Sequence, residues 1–322
     1  MEVYFDNSAT TRVLDSVRDV VVKVMTEDYG NPSAKHRKGM EAEQYVRQAA
    51  SRIAKTLKVK DKEILFTSGG TESNNMALIG TAMANQRAGK HIISTRIEHA
   101  SVYNPLAFLE QQGFEVTYLS VDSQGHISLE ELEASIRPDT ILVSVMYVNN
   151  EVGAIEPIEE IASLVHGRNP AILLHVDAIQ AYGKLVIHPK KQGIDLLSVS
   201  AHKFHGPKGV GFLFIDGRVK IHPLLYGGGQ QKDLRSGTEN VPGIAGMGAA
   251  AQEMYTDHQE KVDYITGLKD YMIDRMGQLE GVTVNSLKGG QGAPQIVSAG
   301  FAGVRSEVLL HALEEKGIYV SS

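Results

Sequence analysis

Seven short apolar runs, separated by stretches with helical periodicity, constrain the fold of this chain more than any other feature. The runs are 63–67, 91–95, 115–120, 140–145, 171–176, 195–200 and 210–215. Strands that are apolar along nearly their whole length are buried on both faces, which is typical of a parallel sheet covered by helices. Helices are predicted before and between these runs, at 14–27, 39–57, 71–88, 130–136 and 158–166. The pattern therefore predicts an α/β fold with a mainly parallel seven-stranded sheet.

The character of the sequence changes near residue 246. A polar helical stretch continues to residue 279, strands are predicted at 282–285, 295–301 and 318–322, and a helix is predicted at 306–316. We expect a large domain over 13–250 and a smaller α+β domain formed by 1–12 and 251–322. Because the chain stops within a predicted strand and leaves its backbone groups unpaired, we expect the natural protein to be longer.

Charge and composition exclude several classes of protein. Lys and Arg total 32 against 38 Asp and Glu, a net charge of −6 without any basic block, so direct binding to nucleic acid is not expected. No apolar run approaches the ~18 residues of a membrane helix, and the first residues lack a basic region followed by an apolar one. We expect a cytoplasmic protein. The chain contains no cysteine, which excludes disulfides, thiolate metal sites and thiol nucleophiles.

A glycine pair follows the first apolar strand and precedes a helix. Gly70 and Thr71 stand at the start of that helix, where free backbone amides and a hydroxyl group suit a small anion such as phosphate. The alternative is an ordinary turn in which Thr71 caps the helix. No Walker lysine and no G-x-G-x-x-G pattern is present, so a nucleotide site is disfavoured.

Polar residues also follow two later apolar strands. Asp177 ends one strand, with Gln180 three residues on, and ligands of open α/β sheets bind at such strand ends. Asp177 could equally cap the next helix.

Ser200, His202 and Lys203 follow the other strand. Burial there would lower the pKa of Lys203 towards the free amine that Schiff-base chemistry needs, although surface lysines are much commoner. His202 and His205 lack a third metal ligand at a recognised spacing, so no metal site is expected.

The three segments together indicate more than each does alone. A phosphate cradle, a carboxylate able to pair with a pyridinium nitrogen and a lysine able to form an imine are the protein groups that pyridoxal 5′-phosphate requires.

Seven segments spread along the chain carry a family resemblance. They are 4–11 (YFDNSATT), 30–33 (GNPS), 67–75 (TSGGTESNN), 98–99 (EH), 148–153 (VNNEVG), 200–203 (SAHK) and 235–240 (RSGTEN). In this order they resemble the cysteine desulfurases of the NifS/IscS type, within the class V aminotransferase group. The resemblance implies the type I fold of pyridoxal-phosphate-dependent transferases and a homodimer with shared active sites.

The resemblance also implies roles for ten residues. Lys203 would hold the cofactor, Asp177 would pair with its ring nitrogen, and His99 would stack on the ring; these three are the predicted catalytic residues. The other predicted cofactor-binding residues are Gly70, Thr71, Asn149, Gln180, Ser200, His202 and Thr238, the last reaching the phosphate of the neighbouring subunit.

The implied reaction removes sulfur from L-cysteine, giving L-alanine and an enzyme persulfide. The sulfur then passes to an acceptor protein, such as an iron–sulfur scaffold or a tRNA-thiolating enzyme. In the family the persulfide cysteine follows a segment like 319–322, so it would lie outside these residues, and we expect the 322-residue chain alone to form no persulfide. Two alternatives remain open: a cysteine-free C–S lyase that releases sulfide, and a non-catalytic cofactor-binding scaffold for sulfur-transfer partners.

Overall fold

A computed structural model describes residues 2–322 of the chain. The strands are β1 (Val3–Tyr4), β2 (Ile64–Thr67), β3 (His91–Thr95), β4 (Glu115–Leu119), β5 (Thr140–Met146), β6 (Leu173–Asp177), β7 (Leu196–Ser200), β8 (Gly211–Ile215), β9 (Val282–Val284), β10 (Ala299–Phe301) and β11 (Ile318–Tyr319). The α-helices are α1 (Asp15–Thr26), α2 (Arg37–Leu57), α3 (Gly70–Asn75), α4 (Thr81–Asn85), α5 (Ala100–Gln111), α6 (Leu129–Ser135), α7 (Ile158–Arg168), α8 (Pro189–Gln192), α9 (Val241–Tyr255), α10 (His258–Met276) and α11 (Ser306–Glu314).

The seven predicted apolar runs form one sheet, in the order β2-β8-β7-β6-β5-β3-β4. β8 is antiparallel to both of its neighbours, and the other pairs are parallel. This arrangement confirms the predicted α/β fold with a mainly parallel sheet. Because β2 and β7 both oppose β8, they run in the same direction as β6, and the three strands end at one edge of the sheet.

Helices cover the sheet because its strands are buried along their length. All five residues of β6 and all five of β7 are buried, as the continuous apolar runs predict. α9 packs on α1 and α2 through small residues: a Cβ on Gly248 would lie 2.7 Å from the Cα of Ala49. In the described part of the chain, no helix combines the length and apolar character needed to cross a bilayer.

The helices differ from the sequence prediction in several places. The helix predicted over 71–88 contains a π-helical segment, Met76–Gly80, between α3 and α4. The long helix predicted after residue 246 is interrupted between α9 and α10, because Asp257 takes a positive φ of 48°. α5 was not predicted at all, and Pro105 lies inside it.

The predicted boundary between the two domains, at residue 250, falls within α9, which continues to Tyr255. The division into domains stays a prediction.

Two small sheets complete the fold. β9 and β10 pair antiparallel, and β11 pairs with β1 in parallel. The β1–β11 pair brings the segment after β1 and the segment after β11 close together, as the hydrogen bond from Phe5 N–H to the Tyr319 carbonyl indicates.

Candidate active site

A cavity of about 500 Å³ lies where β2, β6 and β7 end. Eight of the ten residues predicted to form the site line it: Gly70, Thr71, His99, Asp177, Gln180, Ser200, His202 and Lys203. Residues from both ends of the chain, including Ser8 and Ser321, complete the wall. The structure therefore brings together the three strand-end segments that the sequence singled out.

Asn149 and Thr238 are outside this group. Asn149 is buried, and its side-chain oxygen accepts the N–H groups of Glu151 at 3.0 Å and Val152 at 2.9 Å, so it stabilises a turn. The neighbouring Asn150 lines the cavity instead. Thr238 is exposed and does not line the cavity of its own chain.

The turn between β2 and α3 depends on glycine. Gly69 has a φ of +146°, which side chains disfavour, and a Cβ on Gly70 would lie only 2.2 Å from Cδ1 of Ile179. The first amides of the following helix have no partner within it, so they are free to bind an anion. Glu72 ties this turn to a distant loop: it accepts the Ser68 N–H at 2.8 Å and the Arg235 guanidinium at 2.9 Å.

Lys203 ends the short 3₁₀ turn that follows β7. Its amino group donates to the backbone carbonyls of Ser8 and, at 2.9 Å, Ala9. Burial lowers the pKa of Lys203, while Asp6 and Asp177 act in the opposite direction. Because the lower pKa increases the fraction of free amine, the site favours a nucleophilic lysine.

Asp177 is buried at the end of β6. Its carboxylate accepts the Ile179 N–H at 3.0 Å and the Asn74 side-chain amide at 2.8 Å. Burial raises the pKa of Asp177, against these hydrogen bonds and the charge of Lys203. A cationic N–H group in the cavity would offset the cost of burying this carboxylate.

His99 caps the start of α5, the helix that the sequence did not predict. Its Nδ1 accepts the Ser101 N–H at 3.0 Å and lies 2.8 Å from the Ser101 hydroxyl group. A backbone N–H can only donate, so Nδ1 carries no proton and the neutral ring is protonated at Nε2. The sequence patterns assign no role to Ser101 or Asn74. Asn74 lies within the matched segment 67–75, which is the signal that could have indicated it.

The residues present fit pyridoxal 5′-phosphate. A Cβ on Gly70 would overlap Ile179, so this close packing requires glycine at the start of the helix whose free amides would bind the phosphate. Asp177 offers a buried carboxylate for the ring nitrogen, and the side-chain oxygen of Gln180 is buried without a partner. Among residues 2–322, no group of three or more His, Asp or Glu side chains is arranged to hold a metal ion.

Known proteins resemble this chain over its whole length. The profile of the family described as Aminotransferase class-V matches residues 3–322. Cysteine desulfurase IscS of Dictyoglomus turgidum is 42% identical over 322 residues, covering 100% of this chain and 81% of that protein. Among solved structures, NIFS-LIKE PROTEIN has a TM-score of 0.97 at 42% identity, covering 100% of this chain and 88% of the other. The structure described as SspA in complex with cysteine has a TM-score of 0.86 at 34% identity, covering 100% and 89%. The chain therefore belongs to the class V aminotransferases and, within them, to the NifS- and IscS-type cysteine desulfurases, whose cofactor is pyridoxal 5′-phosphate.

Proposed function

We propose that this chain binds L-cysteine and activates it for transfer of its sulfur to a thiol, the reaction of a cysteine desulfurase. The supporting observation is the convergence of Lys203, Asp177 and His99 on one cavity with the Gly70–Thr71 turn. When bound, pyridoxal 5′-phosphate supplies an electron sink that makes the Cα proton of an amino acid removable. The bound amino acid in a relative described as SspA in complex with cysteine is consistent with this substrate.

Each residue has a distinct role in the proposal. Lys203 would hold the cofactor, and its amine, once displaced by the substrate, would move the proton at the substrate Cα. Asp177 would pair with the ring nitrogen, and its burial would make that charge interaction strong. His99 would contact the ring. Gly70, Thr71, Ser200 and His202 would hold the phosphate; burial lowers the pKa of His202 to about 4, so the imidazole is neutral there.

We further propose a homodimer in which Thr238 completes the site of the other subunit. Thr238 is exposed, and its loop is anchored by the ion pair between Arg235 and Glu72, both largely buried. Mixing the Lys203→Ala and Thr238→Ala variants tests the shared site. In a mixed dimer, one of the two sites contains both native residues. The mixture should therefore regain the activity that each variant alone lacks. Two inactive variants that stay inactive after exchange of subunits would contradict the shared site.

The thiol that accepts the sulfur is not among these 322 residues, since they contain no cysteine. The chain spans 81% of the length of the IscS relative from Dictyoglomus turgidum. We propose that the thiol belongs to a segment or protein outside these residues. An iron–sulfur scaffold or a tRNA-thiolating enzyme as final acceptor, and a cytoplasmic location, stay predictions.

Exchange of the Cα proton of L-alanine with deuterium tests the cofactor chemistry without any thiol. Proton NMR of the cofactor-loaded chain in D₂O should show exchange, and Lys203→Ala should reduce the rate by at least about 100-fold, the effect of losing a general base. Lys208→Ala is the matched control, because Lys208 is an exposed lysine five residues away. Exchange of the Cα proton at the native rate by the Lys203→Ala variant would refute the assignment of Lys203.

The products formed from L-cysteine separate the alternatives. With its own thiol absent, we expect the chain to release neither alanine nor pyruvate at a catalytic rate, although Cα exchange continues. Release of sulfide with pyruvate and ammonia would instead identify a C–S lyase. A chain that binds the cofactor but exchanges no Cα proton would be a scaffold.

A further inference from the structure

Two residues without an assigned role connect Asp177 to His99 by hydrogen bonds. The side-chain amide nitrogen of Asn74 lies 2.8 Å from Oδ2 of Asp177 and 2.9 Å from the Ser101 hydroxyl oxygen. That hydroxyl oxygen is 2.8 Å from Nδ1 of His99. Asn74 is fully buried and Ser101 is 6% exposed, so water does not compete strongly for these bonds. We call Asn74 and Ser101 the bridge.

The direction of every bond in the bridge follows from Asp177. Oδ2 of Asp177 accepts one hydrogen of the Asn74 NH₂ group, and the second hydrogen of that group then points to the Ser101 hydroxyl oxygen. The Ser101 oxygen accepts this hydrogen and gives its own hydrogen to Nδ1 of His99. The Ser101 N–H also donates to Nδ1, at 3.0 Å. The bridge therefore requires Nδ1 to be the unprotonated nitrogen of the ring.

The orientation of Asn74 has a cost that ordinary packing would avoid. Its side-chain oxygen is buried and has no hydrogen-bond partner. Buried polar atoms are rarely left without partners, since each loses its bonds to water. Turning the amide over would place that oxygen against the Asp177 carboxylate. The requirement to donate to both Asp177 and Ser101 explains the orientation.

We propose that Asn74 and Ser101 are positioning residues that fix His99 in its Nε2–H form and couple its hydrogen bonding to Asp177. The proposal rests on the proposed function of the cavity, in which His99 and Asp177 contact the same cofactor ring. With Nδ1 occupied by two donors, the imidazole has one orientation and one ring nitrogen, Nε2, free to act in the cavity.

Nitrogen NMR of the cofactor-free chain, labelled with ¹⁵N-histidine, tests the bridge independently of activity. The His99 signals are assigned by their loss in His99→Gln. We expect an unprotonated, hydrogen-bonded Nδ1 and a protonated Nε2. Ser101→Ala removes one donor, so the Nδ1 resonance should move towards that of a free unprotonated nitrogen. Ser94→Ala is the matched control, because Ser94 is a buried serine whose hydroxyl group has no partner.

Asp177→Asn gives the sharper test of coupling. The Ile179 N–H keeps an acceptor oxygen on its side, so the new amide NH₂ would face Asn74. Asn74 must then turn over and accept, Ser101 must donate to it, and His99 loses the hydroxyl donor. We expect the Nδ1 resonance to move in Asp177→Asn as it does in Ser101→Ala, and to move no further in the double variant. A protonated Nδ1 in the native chain, or an unchanged His99 signal in Asp177→Asn, would overturn the bridge.

Activity then tests the positioning role. In the cofactor-loaded chain, Ser101→Ala should lower the rate of Cα exchange by on the order of two- to tenfold, the range for one hydrogen bond, with little change in KM for L-alanine. A native exchange rate in Ser101→Ala would overturn the positioning role. If the NMR results are as expected but the native chain exchanges no Cα proton, the proposed function fails and the bridge stands.

Discussion

Gly211→Ala should displace the turn that we assign to phosphate binding. Gly211 begins β8 and lies between Thr67 at the end of β2 and Ser200 at the end of β7. A Cβ at this position would be 2.4 Å from the Val199 carbonyl oxygen and 2.8 Å from the Cα of Gly69. Both are backbone atoms, so no side-chain rotation can relieve the overlap.

The distances set the size of the effect. Carbon atoms in favourable contact are about 3.5–4.0 Å apart, so the new methyl group is too close to Gly69 by roughly 0.7–1.2 Å. Overpacking of this kind costs about 1–3 kcal/mol of stability. Shifting Gly69 by such a distance also misaligns the amides that follow it. Losing one hydrogen bond to a charged phosphate, worth about 1.5–3 kcal/mol, weakens cofactor binding by at least about tenfold.

Urea unfolding and titration of the cofactor-free protein with pyridoxal 5′-phosphate measure the two effects. Gly167→Ala is the control, since a Cβ on Gly167, within α7, has no atom within 4 Å. That change should stabilise the helix by about 0.5–1 kcal/mol and leave the affinity for the cofactor unchanged. A Gly211→Ala protein with native stability and native affinity would show that the Gly69 turn does not depend on this close packing.

Three further predictions concern buried charges. Lys184 is buried and donates to the Lys203 carbonyl, and burial lowers its pKa to about 7. The unfolded lysine stays protonated up to about pH 10.5, so the free energy of unfolding of the native protein should rise between pH 7 and 10.5, by up to about 5 kcal/mol. In urea unfolding, Lys184→Met should not show this increase with pH. The pH dependence expected for Glu98 is the reverse: burial raises its pKa to about 8, so native stability should fall as the pH rises from 4.5 to 8. Glu98→Gln should remove this decrease. If the stability of a variant and of the native protein changed with pH in parallel, the assignment to Lys184 or to Glu98 would be contradicted. Arg235→Ala removes the cation that pairs with the largely buried Glu72, and it should weaken cofactor affinity, measured by titration, by about tenfold. Unchanged affinity would show that the turn assigned to phosphate binding does not depend on this ion pair.

The sequence predicts the sheet and three parts of the site because both depend on local patterns. An apolar run of about five residues buries a strand wherever it occurs, and the polar residues that follow it must emerge at the strand end. Asp177 and Lys203 follow β6 and β7 in this way, and Gly70 follows β2. β6 and β7 are parallel neighbours and therefore end at the same edge, whereas β2 ends there because β8 lies antiparallel between β2 and β7, a pairing that the apolar runs alone do not predict.

The remaining contacts depend on residues distant in sequence or on weak local signals. The partners of the Lys203 amine are the carbonyls of Ser8 and Ala9, 195 and 194 residues away, and no side-chain pattern marks a backbone acceptor. α5 contains Pro105, and the exposed Tyr103 and Phe108 obscure the helical spacing of its buried apolar residues, so the sequence does not mark the cap at His99 and its Ser101 partner. Asn74 was within a matched motif, but its role requires the position of Asp177 across the sheet.

The first residues of the chain help to explain how the Lys203 amine and the Asp177 carboxyl group share the cavity without forming an ion pair. Within residues 2–322, Lys203 and Asp177 form no ion pair; the amine binds the Ser8 and Ala9 carbonyls, and the carboxylate binds Asn74 and Ile179. A direct ion pair would raise the pKa of the lysine and remove the free amine that the chemistry needs. The Ser8 and Ala9 carbonyl oxygens accept the hydrogens of the amine without an ion pair, and burial lowers the pKa of Lys203 even though the nearby Asp6 carboxylate acts in the opposite direction. The segment after β1 therefore positions the Lys203 amine through its backbone, although it contributes no catalytic side chain.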